Sequence, residues 1–142
     1  IATRALSPGV NDPTTAVHAL SHISAVLCQI VQLPTQPAAL LDDDGTVRLI
    51  VRPHRFDALL NLAVQQPRRY GAADPDVVSR LFLLLREVTI NTDKPHHREL
   101  IRAQSERLQA SVAAIEYDET ERERFRMLAA SVDLAMAAEL PA

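Results

Sequence analysis

Tryptophan is absent from this chain, glycine occurs three times, cysteine once, and aromatic residues make up only 4% of the sequence. With so few rings available, the core has to be filled by Leu, Val, Ile and Ala. Three glycines, against a usual share of ~7%, disfavour a loop-rich or all-β architecture. A single cysteine excludes an internal disulfide and a cysteine-rich zinc site, and suits a reducing compartment. The net charge of −3 gives no electrostatic case for nucleic acid or an anionic membrane. No apolar run approaches the ~20 residues that a spanning helix needs, and no signal-peptide pattern is present, so the piece is expected to be soluble. The chain opens at Ile1 rather than Met, and Ile1 to Leu6 reads as the tail of a helix. We therefore expect a domain excised from a longer protein.

What is present is helical periodicity. At 142 residues, 47% of them hydrophobic, the chain suits one domain that buries roughly 68–70% of its unfolded surface. Asp12 with Pro13 makes a helix start, and Ala16, Val17, Leu20, Ile23, Leu27, Ile30 and Val31 form one apolar stripe up to Leu33-Pro34. Pro37 keeps the next segment extended or turning. Residues 40–51 read as a small β-hairpin with a tight positive-φ turn at Asp44-Gly45, and Val47, Leu49 and Val51 alternate with Arg48 and Arg52 around Ile50. Such a hairpin is marginal alone and is expected to lean on the helices. Asp42-Asp43-Asp44 lacks calcium-loop spacing and reads as a solvated turn.

Phe56 to Gln66 is helical in period, Pro67 disturbs or ends it, and Gly71 can close it if that turn stays helical. Asp74-Pro75 starts the next helix. Val77 to Thr89 is apolar on nearly every side and is expected at the centre. A further helix over His96 to Ile115 takes Asp93 as its expected cap. Asp118 with Glu121 matches a reciprocal capping arrangement for the last helix, whose stripe is Phe125, Leu128, Ala129, Val132, Met136 and Leu140. The short breaks favour antiparallel neighbours. The expectation is an all-α antiparallel bundle of about five helices with one hairpin, as a single domain over 1–142.

The chemistry-bearing residues concentrate in Arg4-Ala5-Leu6-Ser7-Pro8-Gly9-Val10-Asn11-Asp12-Pro13-Thr14-Thr15, residues suited to backbone shape rather than bulk. Its plainest reading is a capped turn between helices. Its functional reading is a polar pocket wall made by Arg4, Ser7, Asn11, Asp12 and Thr15, completed by Arg69 and Tyr70. An anion could sit at such a helix start, but Asp12 already occupies the positive end. His18 and His22 lie four apart, a spacing that can grip a metal, yet no third ligand is fixed and an exposed polar face is the plainer reading. His96-His97 sit in a first turn and read as surface residues; His54 stands alone in a loop. Ser7-Pro8-Gly9 is not a nucleophile elbow.

The run Arg4-Ala5-Leu6-Ser7-Pro8-Gly9-Val10-Asn11-Asp12-Pro13 with Thr15-Ala16 resembles the hallmark R-A-L-S-P-G-[IV]-N-D-P-x-T-A of a family of predicted bacterial membrane proteins, domain of unknown function 2254. Arg69-Tyr70-Gly71 with Asp74-Pro75 is similar to that family's second block, although Gln66-Pro67 stands here where the family continues its helix. The resemblance implies transmembrane helices preceding this region in the full-length protein. It brings no activity, substrate or catalytic residue with it, and the cofactor is unknown.

The sequence thus points to a soluble, cytoplasmic, non-enzymatic domain of a membrane protein that binds a small ligand or a partner chain. Its partners are expected to be its own transmembrane region and, in a homo-oligomer, another copy, with no nucleic acid. One alternative is a hydrolase using Ser7 or a metal at His18 and His22. Another is an assembly domain with Leu83, Leu84 or the charged last helices as a symmetric dimer face.

Overall fold

The structure, a computed structural model, describes residues 1–34, 38–51 and 55–138. Six helices and one two-stranded hairpin follow in the order α1 (Ala2–Ala5), α2 (Pro13–Ile30), β1 (Ala38–Leu41), β2 (Val47–Val51), α3 (Phe56–Gly71), α4 (Pro75–Ile90), α5 (Pro95–Ala113) and α6 (Glu119–Ala137). The all-α expectation holds, with α1 as one short helix more than the five long stripes suggested.

Helix α4 packs on α2, α3, α5 and α6. That is where its all-round apolarity belongs: Val77, Val78, Leu81, Leu84, Leu85 and Val88 are completely buried, and Phe82 nearly so. Leu84 is therefore core and can form no dimer face. Leu20, Leu60, Val64, Ile101, Leu108 and Val132 pack the same core from the surrounding helices.

The chain reverses between successive long helices, over short connections after α3, α4 and α5 and over the hairpin segment after α2, so alternate helices lie parallel. Ser24 of α2 meets Glu87 of α4, and Gln32 meets Asn91 beyond their C-terminal ends. Asp76 of α4 meets Arg124 of α6, and Asn61 and Arg68 of α3 meet Gln104 and Ser111 of α5. The parallel set α2, α4 and α6 thus pools three positive helix ends at one end of the bundle. Each starts on an aspartate. Asp12 accepts from the Thr15 amide, Asp74 from Asp76 and Val77, and Asp118 from Glu121 with the return bond that completes a capping box. At the opposite end, cations of the reversed α5 region cover the last carbonyls. Lys94 Nζ donates to Val31 and Leu33 oxygens at 2.8 and 2.6 Å, and Arg98 donates to Met136 and Ala138 oxygens at 2.8 and 3.2 Å.

Several expectations are corrected. Pro67 does not end α3; it is a buried residue inside it, one turn before the C-terminus. Gly71 does close α3, with the turn of Pro67 still helical, but not through a left-handed conformation: a Cβ would lie 2.5 Å from Val77 Cγ1, so close packing excludes a side chain. The N-cap of α5 is Lys94, not Asp93, and it makes no side-chain capping bond, since an ammonium can only donate; that donor goes instead to the carbonyls after α2. His97 is buried rather than on the surface, its ring 4.2 Å from that of Phe56 and its Nδ1 3.1 Å from Thr92 Oγ1. Burial, then the Lys94 charge, push its pKa down.

The hairpin pairs Leu40 with Leu49 and Ala39 with Ile50. Its loop is not a two-residue turn at Asp44-Gly45. Asp42 N donates to Thr46 O and Gly45 N to Asp42 O, and Gly45 alone has positive φ (78°), the geometry of a three-residue loop. Asp42 Oδ1 accepts from the Asp44 and Thr46 amides, so the acidic run is a satisfied turn. Among the described residues the hairpin packs on no helix, contrary to the expectation that it leans on them. Pro37, Arg52 and His54 lie outside the described residues.

Candidate functional site

The turn between α1 and α2 is closed by its own atoms. Ser7 Oγ donates to Arg4 O at 2.8 Å, the amides of Val10 and Asn11 both donate to Ser7 O, and the Asp12 amide donates to Ala5 O at 2.8 Å. Asn11 takes the left-handed conformation (φ 45°), which Asn tolerates better than most residues. Asp12 accepts from Thr15 Oγ1 at 2.5 Å and Thr15 N at 3.0 Å, and these two bonds hold its carboxyl below the usual range. Arg4, Ser7, Asn11, Asp12 and Thr15 thus share one structural unit. Arg69 and Tyr70 lie exposed on the last turn of α3, and among the described residues no hydrogen bond ties them to that unit. The two sequence blocks do meet, one residue further on, where Gly71 admits Leu6 and Val77.

His18 and His22 are both exposed, and no group of three or more His, Cys, Asp or Glu side chains that could hold a metal gathers among the described residues. Ser7 keeps its hydroxyl on the Arg4 carbonyl.

Elsewhere among the described residues, two clefts open. The larger, about 450 Å³, lies between α5 and α6 over α4. Phe82, Val112, Ile115, Phe125 and Ala129 give it an apolar floor, and Gln109, Glu116, Arg122 and Arg126 a polar rim. The rim arginines are held in place: Arg122 Nε donates to Tyr117 O at 2.7 Å, and Arg126 binds Glu119 at 2.7 Å and also Glu123. Beside the cleft, Tyr117 stacks edge-on against Phe125 with centroids 4.9 Å apart, and its hydroxyl donates to Ala72 O. Burial pushes its pKa up to about 12. The lining has no hydroxyl, thiol, imidazole or amine. Such a surface can bind and orient an apolar body with a polar end, and the one carboxylate it presents is Glu116.

The smaller cleft, about 280 Å³, lies where the parallel α2 and α4 begin, with Arg124 of α6 at its edge. Pro13, Thr14, Val17 and His18 face Asp76, Ser79, Arg80 and Leu83 across it. Below it, Arg80 Nη1 and Nη2 clamp Glu87 at 2.9 and 2.6 Å, and Ser24 Oγ donates to the same carboxylate. Arg80, followed by Ser24, holds the Glu87 carboxyl below its usual range against the opposing effect of burial. Neither cleft takes a wall from the seven residues singled out in the sequence, although the smaller opens next to Asp12 and Thr15 along α2. The residue that sequence reading passed over is Arg80, one of four charged residues, with Asp76, Arg86 and Glu87, on a largely apolar helix.

A family model described as a predicted membrane protein, DUF2254, matches residues 1–87. Uncharacterized proteins of Mycobacterium bovis and of two strains of Mycobacterium tuberculosis are each 34% identical over 104 residues, 73% of this chain and 20% of theirs. The chain therefore spans about a fifth of the length of these curated relatives. No solved structure matches. Among the described residues, no helix is long and apolar enough to cross a membrane.

Proposed function

The chain belongs to the DUF2254 family of predicted membrane proteins, and from that premise we propose that it is an extramembrane domain that binds a small ligand without transforming it. The observation that carries this reading is the cleft between α4, α5 and α6. Its volume falls within the roughly 300–1,000 Å³ usual for ligand sites, and an apolar floor with a few fixed polar groups at the rim is the common build of such sites. The lining favours a ligand with an apolar body and one polar end. A cytoplasmic position agrees with a single half-buried thiol, Cys28. Occupancy that draws α5 and α6 together would be passed to the membrane part of the same protein.

Native mass spectrometry of the domain against a metabolite mixture tests this. A retained small molecule, lost when Ala129→Phe fills the cleft floor, supports the reading. Retention of nothing, or retention unaffected by that substitution, contradicts it.

A second reading, assembly, rests on the hairpin. Leu40, Leu41, Val47, Leu49 and Ile50 are each more than half exposed, and a lone two-stranded hairpin is marginal in water. A partner chain or second copy covering it would show as a concentration-dependent mass in sedimentation that is abolished by Leu49→Thr with Ile50→Thr.

A further inference from the structure

The smaller cleft is independent of that reading, and its chemistry is different. We propose that it binds a phosphoryl group, carried on a small alcohol, between Arg80 and Arg124. Three basic side chains, Arg80, Arg124 and His18, face this space against one carboxylate, Asp76. Because α2 and α4 run parallel, two helix N-termini also open at the same place, each already occupied by its capping aspartate, so the arginines have to supply the attraction.

Arg80 is the fixed member. Its side chain is 12% exposed, its two terminal nitrogens are locked on Glu87, and its Nε is buried with no hydrogen-bond partner. The pair is neutral within itself, so the unspent charge comes from Arg124. That side chain is half exposed, and its contacts to Asp76 Oδ1 are long, 3.4 and 3.3 Å. An exposed pair of this kind contributes little, so Arg124 can leave Asp76 for a dianion at small cost. A guanidinium fork matches phosphate oxygens in pairs, which a point charge does not. Pro13, Val17 and Leu83 add an apolar wall for the alcohol's carbons.

All lining residues except Arg124 fall within residues 1–87, the part matched by the family, whereas the larger cleft takes only Phe82 from it.

The phosphoryl group could come from a soluble phosphomonoester or from a lipid headgroup, and two arms separate them. Isothermal titration of the 142-residue chain with inorganic phosphate and glycerol 3-phosphate covers the first. Co-sedimentation with phosphatidic acid vesicles, against phosphatidylcholine vesicles, covers the second. We expect saturable binding in at least one arm, weakened roughly tenfold by Arg124→Gln as one charge-assisted contact is lost. Asp76→Asn, which removes the competing carboxylate, should tighten it. Both positions are exposed, so unchanged far-UV circular dichroism and melting should accompany these shifts. Binding in neither arm overturns the proposal. So does binding indifferent to Arg124→Gln, or binding that Asp76→Asn fails to strengthen.

Discussion

Replacing Gly71 with alanine puts a carbon 2.5 Å from Val77 Cγ1, 3.3 Å from Val77 Cβ and 3.0 Å from Leu6 Cδ1, well inside the ~3.5–4.0 Å of comfortable carbon contact. Val77 is completely buried in the first turn of α4 and, being β-branched, has little rotamer freedom to move aside; Leu6 is almost as buried. Overpacking of this sort costs about 1–3 kcal/mol. Against it stands the helix-forming advantage of alanine, up to about 1 kcal/mol in a helix interior and less in a last turn. The net expectation is a loss of about 1–2 kcal/mol, or a fall in melting temperature of roughly 3–7 °C for a chain of this size. Urea unfolding followed by circular dichroism measures it. A cycle with Val77→Ala isolates the cause: the double variant should be less destabilised than the sum of the two singles, by about 1 kcal/mol. If Gly71→Ala matches or exceeds the parent in stability, or if the two changes simply add, the contact between the two sequence blocks has been misjudged.

Removing the α6 cap with Asp118→Ala should cost about 1 kcal/mol in the same assay. By contrast, the paired hairpin change Leu49→Thr with Ile50→Thr should alter stability by less than about 0.5 kcal/mol, because the hairpin touches no described helix; a larger loss would mean that it does pack on the core. Tyr117→Phe should cost about 1 kcal/mol at neutral pH by removing the bond to Ala72 O. Since the folded-state pKa of Tyr117 is raised from 10.0 to about 12, its contribution is complete below 10 and is lost as pH rises toward 12. The parent should therefore destabilise across that window more steeply than Tyr117→Phe, as read from melting temperature against pH.

The helices were legible because their signals are local. Asp12-Pro13, Asp74-Pro75 and Asp118 with Glu121 each mark a start, and the all-round apolarity of Val77 to Thr89 places α4 at the centre. Misreadings arose where a tertiary contact overrode the local rule. Pro67 is tolerated inside α3. Gly71 answers to Val77 rather than to backbone freedom. Lys94, not Asp93, stands at the start of α5, with its ammonium on the carbonyls of Val31 and Leu33, and His97 is drawn inward by Phe56 and Thr92. The clefts were harder to foresee. Nothing local in the charged run from Glu119 to Arg124 shows that α5 and α6 stand apart over Phe82. The turn from Ser7 to Thr15 was visible as a unit, and its polar groups turn out to satisfy one another.

Methyl NMR on the domain tests the binding cleft most directly, since Val112 and Ile115 line it while Val17 and Leu83 line the other. Titration with the molecule retained in native mass spectrometry should shift the Val112 and Ile115 signals saturably and leave the Val17 signal in place, whereas in Ala129→Phe none of the three should shift. Saturable shifts confined to residues outside the α4–α5–α6 cleft, or shifts that persist in Ala129→Phe, would contradict the account.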